Sequence, residues 1–482
     1  MQSSSADASL EPSSDAAVTR FLVLPAAALA IFLGIAAVAA DASADRTGAL
    51  LLLVGVVVAV VRAIARCRGS LPEAISTNAG IVGLLGAVLV ELGVIALFGV
   101  SPDTRRTPDR TAVLICCAVA AAGVIAASRG FWRSGALLLI GSQGVLGYLA
   151  IRANSDLSID VWQFQQVSSA DLLAGRNPYN AVYRNPYPTT DYYGPGVVRE
   201  DGTLNYSFPY PPLSAILVVP GRIAGDVRYA HLTAMVLAAV LVVHATRSVV
   251  GVLSAGMILC WPRVPLILQA SWTEPLAVLL SAAVVWAALR RPRLVWLALG
   301  LLLAVKQYMV LMVPLMLIWS IGPHRLWSPT VPIKALAVAA GVTMPFFLWD
   351  PTAFVRSVLL WQFVQPFRPD ALSVPALVYA HTGVVLPSAL GFLGAAAGTT
   401  LAALKLPRSH AGLLMGTALT LLLFVAMGKQ AFANYYLVVV ALAALAAAVG
   451  SPEPQTDAMD ASAATSTPPF DTRGTPRSAV SD

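Results

Sequence analysis

Apolar runs follow one another through most of the chain, divided by short polar turns. They read as 21–40, 48–61, 80–100, 111–127 and 135–152, and then, after one long polar interval, as 213–224, 229–246, 249–270, 273–289, 293–320, 331–348, 385–403, 411–427 and 434–449. About 20 apolar residues cross a bilayer as a helix, and lipid offers no partner to an unpaired backbone group, so runs of this kind must be helical. The alternating pattern of a membrane barrel is absent. The expected fold is all-α, a polytopic integral membrane helical bundle. Counting 213–224 as a short re-entrant helix and 293–320 as a tight pair that breaks near Lys306 gives about 14 spans. Arg20 precedes the first run, and Ala37-Val38-Ala39 resembles a signal-peptide cleavage site; the length of the run favours an uncleaved first span.

The polar interval from Asp156 to Pro212 breaks this pattern and carries seven of the 13 tyrosines: Tyr179, Tyr183, Tyr187, Tyr192, Tyr193, Tyr206 and Tyr210. Long connections are usually functional or disordered, and disordered segments are poor in aromatics, so an ordered working loop is expected here.

Composition agrees. The 482 residues are 57% hydrophobic and 11% charged, with a mean hydropathy of +0.75. The formal charge is +7, but the basic residues sit in short turns, where positive charge sets membrane orientation, so no nucleic-acid partner is implied. Arg62, Arg66 and Arg68 follow the second run, and Arg129 and Arg133 the fourth. Placing these turns in the cytoplasm puts the 156–212 loop outside, together with Glu274, Lys306, Gln307, the 349–375 loop, Lys429, Gln430 and Asn434-Tyr435-Tyr436. The turn 101–110, with Arg105, Arg106 and Arg110, is the discordant one. The chain divides into a disordered tail over 1–19, four additional membrane helices over 20–134, a membrane domain over 135–450 that includes the loop 153–212, and a disordered cytoplasmic tail over 451–482. Cys67, Cys116, Cys117 and Cys260 lie in or beside apolar runs and suggest no disulfide framework. The five histidines have no metal-ligand spacing.

Candidate chemistry centres on Asp156 and Asp160, four residues apart and therefore on one face of a helical turn. A partly desolvated carboxylate has a raised pKa and can act as a general base toward a sugar hydroxyl; the plain alternative is that both cap a helix beside the membrane. Lys306 interrupts the long run 293–320, and an ionisable group inside a membrane segment is costly enough to suggest function. Glu274 opens an apolar helix, where a carboxylate is also simply a favourable cap.

Three elements, Asp160-Val161-Trp162, then Leu172-Leu173-Ala174-Gly175-Arg176-Asn177-Pro178-Tyr179, then Tyr210-Pro211-Pro212-Leu213, together resemble the first outer loop of GT-C class glycosyltransferases. They are most similar to the polyprenyl-phosphate-mannose-dependent mannosyltransferases related to the phosphatidylinositol mannoside enzyme of mycobacteria. Ala304-Val305-Lys306-Gln307-Tyr308 resembles that family's lysine-bearing helix break, and Asn434-Tyr435-Tyr436 its last outer-face aromatic motif. The resemblance covers about residues 135–449. It implies a membrane enzyme in which Asp160 is the catalytic base, the donor is a polyprenyl-phosphate sugar, and the acceptor is a lipid or glycan at the outer leaflet. Lys306, Arg176 and Lys429 become candidates for the donor phosphate, and Asp156, Glu274, Gln307, Tyr179, Tyr210, Gln430 and Asn434 further site candidates. No cofactor is implied beyond the lipid-linked donor, in keeping with the absence of a nucleotide-binding glycine loop. The family's loop normally follows the first span, whereas here four further spans precede it. The adjacent acidic pair that many GT-C enzymes use for metal is missing, which leaves metal dependence open. A transporter or flippase of a lipid-linked glycan or small solute is the alternative. It would explain the many spans but not the tyrosine-rich loop, and the paired repeats common in transporters are not visible.

Overall fold

The computed structural model describes residues 14–41, 46–67, 77–101, 106–154, 159–187, 189, 192–322 and 324–449. Among these every regular element is a helix, and the only strand-like pairing is two isolated bridges, Arg184 with Thr203 and Val198 with Leu204. Among the described residues six helices are long and apolar enough to cross a membrane: Arg46–Ala65, Asn78–Phe98, Arg110–Ser128, Trp132–Ala153, Arg228–Thr246 and Thr330–Trp349. Shorter apolar helices, among them Val249–Leu259, Ala389–Lys405, His410–Ala426 and Ala433–Val449, complete the bundle. The chain is a multi-pass helical membrane protein.

Two boundaries differ from the sequence reading. The first helix, Ser14–Asp41, begins inside the segment expected to be disordered; once the apolar run has nucleated a helix, propagating it through Ala-rich residues costs little. Of that tail, residues 1–13 lie outside the described residues, as do Asp156 and the tail 451–482. The run 249–270 is not one helix but two, Val249–Leu259 and Val264–Gln269. Pro262 lies between them, and a proline lacks the N–H that would continue the first helix. Eleven residues reach only about 16 Å, too short to cross alone. The break at Lys306 is present: Val295–Val305 ends there, Lys306 is extended (φ −149°, ψ 134°), and Gln307–Met312 resumes as a tighter helix.

With lipid as apolar as the side chains, helices associate through close packing rather than a hydrophobic drive. Gly123 and Gly135 show this: a Cβ on either would lie 2.8 or 2.5 Å from the other's carbonyl oxygen, so only glycine allows Arg110–Ser128 and Trp132–Ala153 to approach this far. The last helix, Ala433–Val449, is buried along nearly its whole length, with Ser14–Asp41, Val249–Leu259, Glu274–Arg290 and His410–Ala426 packed around it.

Hydrogen bonds show which turns share an end of the bundle. Gln269 donates to the carbonyls of Arg106 (2.7 Å) and Ala150 (2.9 Å), Arg228 to that of Asn154 (2.6 Å), and Arg46 to that of Pro369 (2.5 Å). The helix Asp160–Leu173 lies at this end, where the Trp162 indole reaches Asp226 at 3.3 Å. Elsewhere, Arg408 bonds the carbonyl of Ile321 (2.7 Å) and Trp286 bonds His244 (3.0 Å).

The polar interval is built around an apolar centre of its own, separate from the main core. Phe164, Tyr179, Tyr183, Tyr193, Val197, Leu204, Phe208 and Ala215 gather there with Phe354, Val358 and Trp361 from the segment after Trp349. Trp361 is the hub, edge-on to Phe164 (6.0 Å), Tyr193 (5.7 Å) and Tyr206 (5.2 Å). Gly194 sits where a Cβ would meet the Val364 carbonyl oxygen, which lets the loop lie directly on that backbone.

Candidate functional site

Asp160 is the first residue of the helix Asp160–Leu173, where the exposed N–H groups and the helix dipole favour a negative charge. The Val161 N–H donates to its Oδ1 at 2.8 Å. Two phenols complete the cradle: Tyr187 donates to Oδ1 at 3.0 Å and Tyr193 to Oδ2 at 2.9 Å. Burial raises the Asp160 pKa, and the bonds from Tyr193 and Tyr187 pull against it without cancelling it. Both phenols are themselves pushed above their ordinary range, by burial first and the Asp160 charge second. They therefore remain protonated donors, and the carboxylate is held in place while staying a better proton acceptor than one in water.

The tyrosine cradle is itself supported. Tyr187 stacks on Tyr192 with centroids 4.4 Å apart, and the Arg368 guanidinium lies 5.2 Å over the Tyr192 ring and 5.2 Å over Phe432. Arg368 is paired to Asp370 by two bonds of 2.7 and 2.6 Å. Burial alone would raise the Asp370 pKa, but the Arg368 bonds and charge hold it below the usual carboxylate value.

Below the loop helix runs a buried polar chain. Gln165 Nε2 donates to the carbonyls of Val161 (3.0 Å) and Ser271 (2.5 Å), while its Oε1 lies 2.6 Å from His231 Nε2. Ser271 holds a left-handed backbone (φ 58°), a conformation a non-glycine residue keeps only where its surroundings impose it. Two residues on, Thr273 and Glu274 meet Lys306. The ammonium is 3.0 Å from Glu274 Oε1, donates to the Thr273 hydroxyl, and lies 4.5 Å over the Tyr210 ring and 5.8 Å from that of Tyr308. Both members of the pair are buried, and Glu274 Oε2 has no hydrogen-bond partner among the described residues.

Tyr210 joins the two groups. Burial raises its pKa most, and the charges of Asp160 and then Glu274 add to the effect, so both carboxylates act on this one phenol. Tyr435 reaches the same region, with its ring 5.9 Å from Tyr308.

The remaining expected residues are positioned as follows. Gln307 donates to the Pro209 carbonyl at 2.5 Å and Tyr179 to the Tyr210 carbonyl at 2.8 Å, so each fixes the chain next to Tyr210. Lys429 donates to the carbonyls of Phe363 (3.0 Å) and Gln365 (2.6 Å), and Gln430 to that of Pro366 (3.1 Å); both staple the 363–366 segment. Asn434 is buried and its Oδ1 is unpartnered among the described residues. Arg176 pairs with Asp171 and lies past the far end of the loop helix, whose 14 residues separate it from Asp160 by about 20 Å. Tyr187, Tyr193, Arg368, Gln165, His231 and Ser271 were not singled out from sequence as site residues. The tyrosine enrichment pointed at the first two; nothing local marks the others. Among the described residues no group of three or more His, Cys, Asp or Glu side chains is placed to hold a metal ion.

Comparison of the chain with known protein families, with curated proteins and with solved structures finds no match in any of the three.

Proposed function

We propose that this protein is a membrane glycosyltransferase that moves a sugar, mannose in the first instance, from a polyprenyl-phosphate donor to a lipid or glycan acceptor at the outer face of a bundle of about 14 spans. The observation that carries the reading is the Asp160 carboxylate, partly desolvated and held by two phenols at the end of the bundle where Lys306 is also buried. The resemblance of the Asp160, Pro178-Tyr179, Tyr210-Pro211-Pro212 and Lys306 elements to GT-C enzymes points the same way. Asp160 takes the proton of the acceptor hydroxyl as its oxygen bonds to the anomeric carbon. The bond from that carbon to the phosphate oxygen breaks with inversion, and polyprenyl phosphate leaves with the electron pair.

Charge developing on the departing phosphate needs a preorganised donor in a water-poor site. Of the three cations expected for this role, Lys306 has the best placement: it shares Tyr210 with Asp160, whereas Arg176 is remote and Lys429 holds loop carbonyls. Its pairing with Glu274 means that it acts as one half of a fixed dipole.

The test is transfer from radiolabelled polyprenyl-phosphate-mannose by the purified protein in lipid nanodiscs, read as a new glycosidic bond beside donor binding. Asp160→Asn keeps the shape and loses proton acceptance, so transfer falls by about 10²- to 10⁴-fold while donor binding is retained. Normal transfer by this variant removes the base. Movement of a lipid-linked sugar between leaflets with no glycosidic bond formed replaces the enzyme by a carrier.

A further inference from the structure

Past the far end of the loop helix from Asp160, an open cavity of about 540 Å³ is lined by side chains that include Asp171, Arg176, Asn177, Asn180, Val182 and Trp349. This is within the range of small-ligand sites, and nothing in the catalytic proposal uses it. Asp171 and Arg176 form an ion pair in which both guanidinium bonds, 2.8 and 2.5 Å, fall on Oδ1. No hydrogen bond from the described residues reaches Oδ2. Asn177 is 7% exposed; its Oδ1 is tied to the Tyr179 N–H at 3.0 Å, while its buried Nδ2 has no partner among the described residues. A buried amide donor left without a partner is costly, so a ligand that supplies an oxygen there gains what the empty site forgoes. Trp349, at the end of the helix Thr330–Trp349, is 52% exposed and contributes a flat apolar face.

We propose that this cavity is a binding site for a neutral glycan. A sugar ring presents an apolar C–H face and an edge of hydroxyls that both donate and accept. The indole suits the face, Asp171 Oδ2 accepts from the edge, and Asn177 Nδ2 donates to it. The ion pair leaves no net charge to draw an anion: Asp171 binds Nε and one Nη of Arg176 and offsets its charge. The helix from Asp160 to Asp171 spans about 17 Å at 1.5 Å per residue, a reach suited to an extended oligosaccharide. Naming that glycan as the acceptor rests on the glycosyltransferase reading; binding of a neutral glycan here does not.

The experiment is a calorimetric titration of the full-length protein in detergent with α-linked mannotetraose and, separately, maltotetraose and glycerophosphoinositol, each at low and high salt. The expected result is saturable binding of a tetraose, insensitive to salt, weakened at least tenfold by Trp349→Ala and by Asp171→Asn and retained in Asp160→Asn. Because Trp349 is exposed, its variant keeps the fold even if the Asp171 change loosens the helix end, and a thermal melt checks both. Binding of neither tetraose, or unchanged binding in both variants, overturns the site. Salt-sensitive binding of glycerophosphoinositol in place of the tetraoses overturns it in favour of a lipid headgroup. Sugar transfer without tetraose binding removes this site and leaves the enzyme; tetraose binding without transfer does the reverse.

Discussion

The Lys306–Glu274 pair yields the sharpest quantitative test. The charges are 3.0 Å apart with side-chain exposures of 7% and 1%. At an effective dielectric of about 20, that separation gives roughly 5 kcal/mol of attraction, set against the desolvation of two ions. Removing one partner leaves a buried charge uncompensated, which costs about 3–5 kcal/mol, whereas replacing both by apolar groups of similar volume is often neutral or stabilising. Glu274→Leu should therefore be strongly destabilising, since the ammonium keeps the Thr273 hydroxyl and the Tyr210 and Tyr308 rings, and a cation over an aromatic face returns about 0.5–2 kcal/mol. Lys306→Met should lose stability as well, because the Glu274 carboxylate is left buried with the Tyr308 hydroxyl, at 3.4 Å from Oε1, as its nearest remaining donor among the described residues. The double variant Lys306→Met/Glu274→Leu should recover most of the loss. Equilibrium unfolding from mixed micelles measures all four corners of the cycle, and the coupling is the departure from additivity. Single-variant losses under about 1 kcal/mol, the size of an exposed pair, would refute the buried pairing. The double variant also separates fold from function: if it is stable but cannot use donor, the pair works on substrate, and if it is stable and active, the pair is a packing device.

Two further outcomes follow from the site and the bundle. Tyr193→Phe deletes one of the two phenol bonds that favour ionised Asp160; the folded-state pKa rises further, so the acid limb of the rate profile, where activity is lost as pH falls, moves to higher pH, and an unmoved limb detaches the base from Asp160. In a background lacking the four cysteines, Glu200→Cys should react with an impermeant thiol reagent from outside intact cells and Arg291→Cys only after the inner face is opened; labelling of both from one side would refute the proposed orientation.

What was legible in the sequence follows from the range of the interactions involved. Lys306 announced a break because one charge inside a long apolar run cannot be ignored by a helix in lipid, and the backbone is extended there. The working loop announced itself by its tyrosines, and Tyr179, Tyr183 and Tyr193 are in fact its buried core. The interruption at Pro262 was passed over because hydropathy stays high on both sides of it and a composition window sees no gap. The cradle of Asp160 was illegible for a different reason: its phenols lie 27 and 33 residues along the chain, and the Arg368 ring contacts come from a segment beyond several intervening helices. Glu274 could be read locally as a helix cap, and it does open a helix; that its charge is also matched by Lys306 depends on tertiary packing alone.

Tyr210 shows how short motifs acquire physical content once they are placed. The Pro211-Pro212 pair forces the chain from an extended residue directly into the helix Pro212–Ile223, with proline at the first helical position where its missing N–H is harmless. The residue before the pair is thereby held at the mouth of a helix rather than left on a free loop. Three further contacts finish the placement: Tyr179, turned inward by the Asn177 side chain that caps its short helix, donates to the Tyr210 carbonyl, while Gln307 and Gln362 hold the Pro209 carbonyl beside it. The ring so fixed covers the Lys306 ammonium at 4.5 Å, and its phenol lies within the fields of both Asp160 and Glu274. Three sequence elements far apart in the chain thus converge on one aromatic side chain that covers the proposed cation and lies in the field of the proposed base. A site that must hold an acceptor hydroxyl and a departing phosphate at fixed separation requires that kind of rigid spacer, and a carrier whose two sites open in turn does not.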